Sequence, residues 1–136
     1  MLDADEIRER IRKRLAAQQR LVRSLLALRE QLQGSLFARY GTCGKETCVC
    51  RHGQKHGPYY VLSTRGRGQG AFAYLQGGQL AAARSLVLRY RAFRRGLRRL
   101  KKVNLELVGL LQRYQGAMAR AGGKRLGMPS EKRLIS

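Results

Sequence analysis

Between Leu86 and Met118 one line of residues recurs at steps of four and three without a slip: Leu86, Tyr90, Phe93, Leu97, Leu100, Asn104, Leu107, Leu111, Tyr114 and Met118. Four or more heptads of this spacing keep a single stripe on one side of an α-helix, so the segment is constrained to a long helix packed in coiled-coil fashion. Gly96, Gly109 and Gly116 fall inside it. Each costs about 1 kcal/mol relative to alanine in a helix interior, which predicts a kink or a close helix contact. From Val103 to Leu111 the apolar set (Val103, Leu105, Leu107, Val108, Leu110, Leu111) spreads round most of the helix. One partner helix cannot cover that, so the expectation is a bundle completed by a second copy of the chain. In such a homo-oligomer the seam is Leu86, Tyr90, Phe93, Leu97, Leu100, Asn104, Leu107 and Leu111. Asn104, with apolar heptad neighbours on both sides, is read as the residue that sets its register.

A second long helix is expected at the other end of the chain, over about Asp3 to Gln33. The stretch has no Gly or Pro, and acids occupy its first turns, where they complement the helix dipole. Ile7, Ile11, Leu21, Leu25, Leu28 and Leu32 share one line, interrupted by Arg14 and Gln18, with Leu15, Val22 and Leu26 widening it. Gly34 and Ser35 are expected to stop it. The segment between the helices differs in kind. From Leu36 to Gly78 it holds all three cysteines, both histidines and nine of the sixteen glycines. Tyr59–Thr64 and Ala71–Leu75 are β-prone and flank the turn-forming RGRGQG, which predicts a β-hairpin with a positively charged loop. A lone hairpin is marginal in water and needs a staple or a helix to lean on.

The chain therefore divides into an amphipathic helix at 1–33, a Cys/His and hairpin segment at 34–78, a basic heptad helix at 79–121 and a basic tail at 122–136 expected to be disordered when free. The fold class is α+β, mainly α: two long helices flanking a small zinc-stapled hairpin, assembled as a helical bundle or coiled-coil oligomer.

The staple is read from C-G-K-E-T-C-V-C-R-H-G-Q-K-H-G-P-Y-Y. Three cysteines clustered within eight residues do not suit a secreted disulfide framework. Cys43, Cys48 and Cys50, with spacings of four and one, supply three thiolates; one histidine completes a tetrahedral set suited to zinc, and a closed set of four is structural. His52 follows Cys50 too closely for a comfortable chelate loop, and His56 is favoured as the fourth ligand, with His52 as the alternative. One zinc per chain is expected, held by Cys43, Cys48, Cys50 and His56. Two other readings are a thiol redox switch and ordinary buried thiols, the latter disfavoured by flanking glycines and charges. No oxyanion-hole motif or orienting acid accompanies the cluster, so no enzymatic activity is expected.

CGKETCVC followed by HGPYYVLS resembles a family of small bacterial zinc-knuckle-like proteins known only as a domain of unknown function, often found near transposase and other mobile-element genes. The resemblance covers about Gly34 to Tyr114 and rests on Cys43, Gly44, Lys45, Cys48, Cys50, His56, Gly57, Pro58 and Tyr59. It implies a shared fold and a mobile-element context, with a transposase or recombinase as a candidate partner. It supplies no activity. The acid-free run in the last helix departs from the more acidic helix usual in that family.

Charge points to the partner. Lys and Arg number 29 against 8 Asp and Glu, a formal balance of +21. Four of the acids (Asp3, Asp5, Glu6, Glu9) lie within the first nine residues. Arg84, Arg89, Arg91, Arg94, Arg95, Arg98, Arg99, Lys101 and Lys102 form a run without an acid. A solvated helix face normally mixes signs, whereas like charges repel until a polyanion relieves them. Arginine predominates, which suits bidentate phosphate contacts. Arg65 and Arg67 in the hairpin loop add a second patch, and Tyr59, Tyr60, Phe72 and Tyr74 offer rings, of which alternation should turn about half inward. The expected function is non-enzymatic nucleic-acid binding, DNA rather than RNA, as an accessory or regulatory factor. The alternative is a helical adaptor docking on a transposase, recombinase or other complex. No leader pattern or membrane-length apolar run is present in the sequence, so a cytoplasmic, soluble chain with no membrane partner is expected.

Overall fold

The computed structural model describes residues 2–64 and 71–129. In chain order it contains α1 (Ala4–Ala27), β1 (Ser35–Gly41), a short 3-10 turn (Val49–His52), β2 (His56–Thr64), β3 (Ala71–Tyr74) and α2 (Leu80–Arg125). The chain is α+β and mainly helical, with two helices and one three-stranded antiparallel sheet. It divides into two compact units. The first is α1 with α2 from Arg95 onward; the second is residues 28–94.

In the helical unit α1 begins at a reciprocal cap: the Glu6 amide donates to Asp3 Oδ1 at 2.8 Å, and the Asp3 amide donates to Glu6 Oε2 at 3.1 Å. This satisfies two donors that a helix start would otherwise leave open. Contacts between the helices pair rising numbers on α1 with falling numbers on α2. Arg8 lies over the Tyr114 ring, Arg14 reaches Glu106, Gln18 donates to Asn104, and Leu25 packs at Gly96. The helices are therefore antiparallel. The buried apolar side chains are Ile7, Leu25, Val103 and Leu107. On α2 the more buried line runs Gly96, Leu100, Val103, Leu107, Leu110, Tyr114, Ala117, again in steps of four and three. It shares Leu100, Leu107 and Tyr114 with the heptad line read from the sequence and lies one residue earlier at every other step. Gly96 is explained by packing, since a Cβ there would run into the Leu25 side chain.

α1 ends at Ala27, short of the expected stop near Gln33. Arg29 adopts φ 57, in the left-handed region, which breaks the helical run. The chain then turns, and in the second unit the Leu32 amide donates to the Leu86 carbonyl at 3.1 Å.

The sheet has the order β1-β2-β3. The expected hairpin is present as β2 and β3, paired from Val61↔Tyr74 to Thr64↔Ala71. β1 is an addition that the sequence reading did not foresee. It pairs with β2 from Ser35↔Ser63 to Arg39↔Tyr59, then shifts register so that Gly41 stands opposite His56. The buried residues of this unit are Cys50, Val61, Leu62, Ala83 and Val87. No helix among the described residues is long and apolar enough to cross a membrane.

Candidate metal centre and basic surfaces

The register shift in β1 is what builds the cysteine site. It ends β1 opposite the first residue of β2, so the loop carrying Cys43 leaves the sheet beside His56. The chain then doubles back through two short turns, with the Cys48 amide donating to the Lys45 carbonyl and the Arg51 amide to the Cys48 carbonyl, both at 3.3 Å. Cys50 lies in the 3-10 turn, which closes at Gly53 with φ 119. Gly57 is required where β2 starts: φ is 136, and a Cβ would meet the Arg39 carbonyl oxygen and the Tyr40 ring at 2.9 Å.

The four ligand atoms of Cys43, Cys48, Cys50 and His56 all lie within 4.8 Å of one another. Cys43 Sγ is 3.6 Å from Cys50 Sγ, and Cys48 Sγ is 3.1 Å from His56 Nε2. The cysteines are free thiols. A tetrahedral ion with metal–sulfur bonds of about 2.3 Å needs sulfurs about 3.8 Å apart. The Cys43–Cys50 pair is close to that spacing, and the four ligands lie near enough together to hold a metal ion. His56 joins the sulfurs, whereas His52 is exposed in the 3-10 turn.

The surroundings treat the thiols unequally. Cys48 is held below the ordinary thiol range, first by a hydrogen bond from the Cys50 amide and then by the thiols of Cys43 and Cys50, against the effect of burial. For Cys50 the Cys43 amide, donating at 3.3 Å, pulls downward, but burial and the neighbouring Cys48 and Cys43 sulfurs push the group up overall. A thiol poised to ionise beside one that resists until charge arrives is a coherent arrangement for a cation, which binds thiolate.

The nine cations from Arg84 to Lys102 are all exposed on α2. No acid lies between Glu46 and Glu106 in the sequence, so this stretch contains no carboxylate. Among the described residues, ion pairs are made only by Arg12 with Glu9 and Arg14 with Glu106. Arg65 and Arg67 lie outside the described residues. Of the seam residues, Leu107 is buried, Leu86, Tyr90, Phe93 and Leu100 are half-buried, and Leu97, Asn104 and Leu111 are exposed. The Asn104 side-chain oxygen accepts a hydrogen bond from Gln18 at 2.7 Å.

Sequence reasoning missed one further basic feature, a groove of about 560 Å³ in the helical unit lined by Arg10, Lys13, Arg14, Glu106, Gly109, Leu110 and Arg113. Its signal was a set of cations at helical spacing on two segments whose pairing was unknown. It also missed Phe37 and Arg39 as site candidates, because SLFARY at Ser35–Tyr40 has no period-two alternation to mark a strand.

The model of a family described as a domain of unknown function, DUF6788, matches residues 4–84. The match spans more than half of the chain, and the chain belongs to this family. No curated protein and no solved structure matches it.

Proposed function

We propose that this member of DUF6788 is a non-enzymatic nucleic-acid-binding protein, acting on DNA as an accessory or regulatory factor, with one structural zinc ion per chain. The observation that carries the reading is the exposed, acid-free run of nine cations on α2. Arginine guanidinium groups there contact phosphates in pairs of hydrogen bonds, and counterions released from the polyanion drive association. Zinc in the Cys43, Cys48, Cys50 and His56 set locks the end of β1 to the start of β2 and so holds the sheet. Four protein ligands leave no open position, which is why the site is structural in this reading. A mobile-element setting, with a transposase or recombinase working on the same DNA, suits such a factor. Electrophoretic shift with duplex DNA, single-stranded DNA and RNA at two salt concentrations tests the proposal. Binding at low salt that weakens steeply at high salt is expected; no binding at low salt refutes it.

A second reading, a self-associating helical adaptor, is favoured by one observation. Leu15, Val22 and Leu26 on α1 and Leu97, Leu111 and Met118 on α2 are exposed. Leu15 and Val22 each follow a half-buried residue of α1, and Leu97, Leu111 and Met118 each follow a more buried residue of α2. In an antiparallel pair these two flanks share one side. The Gln18–Asn104 amide pair belongs to the same side, and each amide both donates and accepts. A second copy of the chain meets that pattern with an identical one across a two-fold axis. Sedimentation equilibrium of the wild type and of Leu111→Glu tests it: a dimer converted to monomer supports the reading, and a monomeric wild type refutes it.

A further inference from the structure

Strand alternation places Phe37 and Arg39 of β1, Tyr59 and Val61 of β2, and Phe72 and Tyr74 of β3 on one face of the sheet. The direct register partners of Val61 are Phe37 and Tyr74. The Phe37 and Phe72 rings meet edge to face, with centroids 6.2 Å apart and planes at 88°. Arg39 Nη1 donates to Tyr74 Oη at 3.2 Å. Both contacts run from β1 to β3 across β2, so the outer strands close over the middle one. Val61 is 0% exposed, while Phe37 is 38%, Tyr59 48%, Phe72 63% and Tyr74 60% exposed. The rings seal the residue below them and stay open on their outer side.

Four exposed aromatic rings on three short strands are an unusual use of residues that normally bury large areas in cores and interfaces. What the face offers identifies its occupant. It presents flat π surfaces with polar edges, an arginine fixed across the middle, and no carboxylate anywhere in β1, β2 or β3. The acid-free sequence continues on both sides of β3, from Thr47 to Leu105. An aliphatic protein surface would use the rings but leave the positive charge unmatched. Duplex DNA would match the charge but has its base faces stacked on one another. A single strand supplies unstacked base faces and phosphates together, and base–aromatic stacking tolerates any sequence because every base has a π face.

We propose that this sheet face is a stacking platform for the unpaired bases of a single-stranded nucleic acid, with Phe37, Tyr59, Phe72 and Tyr74 as the stacking rings and Arg39 as the cation between them. The proposal rests on the nucleic-acid reading above and deepens it, since it names the strand state that is bound. Tyr60 is excluded, because it is half-buried and alternation puts it on the opposite face.

The experiment uses the full metal-loaded chain and a labelled single-stranded DNA, with the same sequence as a duplex for comparison. Phe72→Ala and Tyr74→Ala each weaken single-strand binding by about five- to 150-fold, the range of one base stack. Duplex binding, carried by α2, changes little. Since the chain has no tryptophan, Phe72→Trp places a single fluorophore on the platform. Its emission is quenched when the single strand is added and not when the duplex is added. If the wild type binds DNA but both alanine variants bind the single strand equally well and Trp emission stays unchanged, the platform is refuted while the α2 reading stands. If the wild type binds neither form, both readings fall together. A Trp emission that shifts with protein concentration alone assigns the face to contact between copies and overturns the proposal. Circular dichroism and metal content of each variant confirm that the fold is retained, and Tyr74→Phe, which keeps the ring, retains most of the binding.

Discussion

Two glycines of α2 respond oppositely to the same substitution. Gly96 and Gly109 both lie in the helix interior, where alanine is favoured over glycine by about 1 kcal/mol because it restricts the unfolded chain. The surroundings then decide the sign. At Gly109 an added Cβ meets nothing within 4 Å, so Gly109→Ala gains the full propensity term, about 1 kcal/mol. At Gly96 the new methyl overlaps the Leu25 side chain, which is itself buried and has little room to move. Overpacking of this kind costs about 1–3 kcal/mol, so Gly96→Ala ends between about zero and 2 kcal/mol less stable than wild type. The two variants should differ by roughly 1–3 kcal/mol. At this chain length that separates their unfolding midpoints by several degrees, at about 3–5 °C per kcal/mol. Thermal unfolding followed by circular dichroism, with the metal loaded in every sample, measures the gap. Equal stabilisation by both substitutions would refute the packing of α1 against Gly96 and the antiparallel register with it.

Metal content divides the histidines: His56→Ala loses the ion and His52→Ala keeps about one per chain, read by elemental analysis of the purified variants. A wild type without metal whose thiols respond to oxidant would instead support the redox switch. Because thiolates bind the ion, acid opposes it: affinity should fall steadily from about pH 8 to pH 6, with proton competition strongest at Cys50, whose thiol sits above its ordinary range. Chelator competition at several pH values checks this, and an affinity that rises toward acid would contradict the thiolate set. The Arg14–Glu106 pair is 2.9 Å long but both side chains are 40% exposed, so Glu106→Gln should cost no more than about 1 kcal/mol in urea unfolding.

The long-range pattern of the chain was readable from periodicity, and the metal cluster from residue chemistry. A 4,3 spacing specifies a helix over Leu80–Arg125 whatever lies against it, and three cysteines within eight residues beside a histidine specify a cluster before any coordinates exist. What periodicity does not carry is the direction from which the partner approaches. Leu100, Leu107 and Tyr114 belong to two overlapping seams, and only the contacts at Gly96, Asn104, Glu106 and Tyr114 show which one meets α1. The stop at Ala27 turned on the conformation of Arg29, a residue type with no preference for positive φ. β1 carries no comparable signal, because SLFARY at Ser35–Tyr40 has no period-two alternation and runs directly into the cysteine cluster. Without β1 the hairpin had no neighbour to bring Phe37 and Arg39 alongside Phe72 and Tyr74, so the ring cluster could be read only as residues alternating in and out.

The pairing of α1 with the far half of α2 has a consequence for synthesis. The four metal ligands and β1 and β2 are complete in the chain by Thr64, through pairings between close neighbours in sequence. α1 is made before all of them, yet its partners come last: Arg14 waits 92 residues for Glu106, and Gln18 waits 86 for Asn104. Closing so long a loop is slow compared with forming a hairpin or a turn. On the ribosome the sheet unit therefore matures first, while α1 carries Ile7 and Leu25 uncovered until α2 from Arg95 onward emerges. Of the two helices, the one made earlier finds its place later, and during that interval the nascent chain is most exposed to chaperones and proteases.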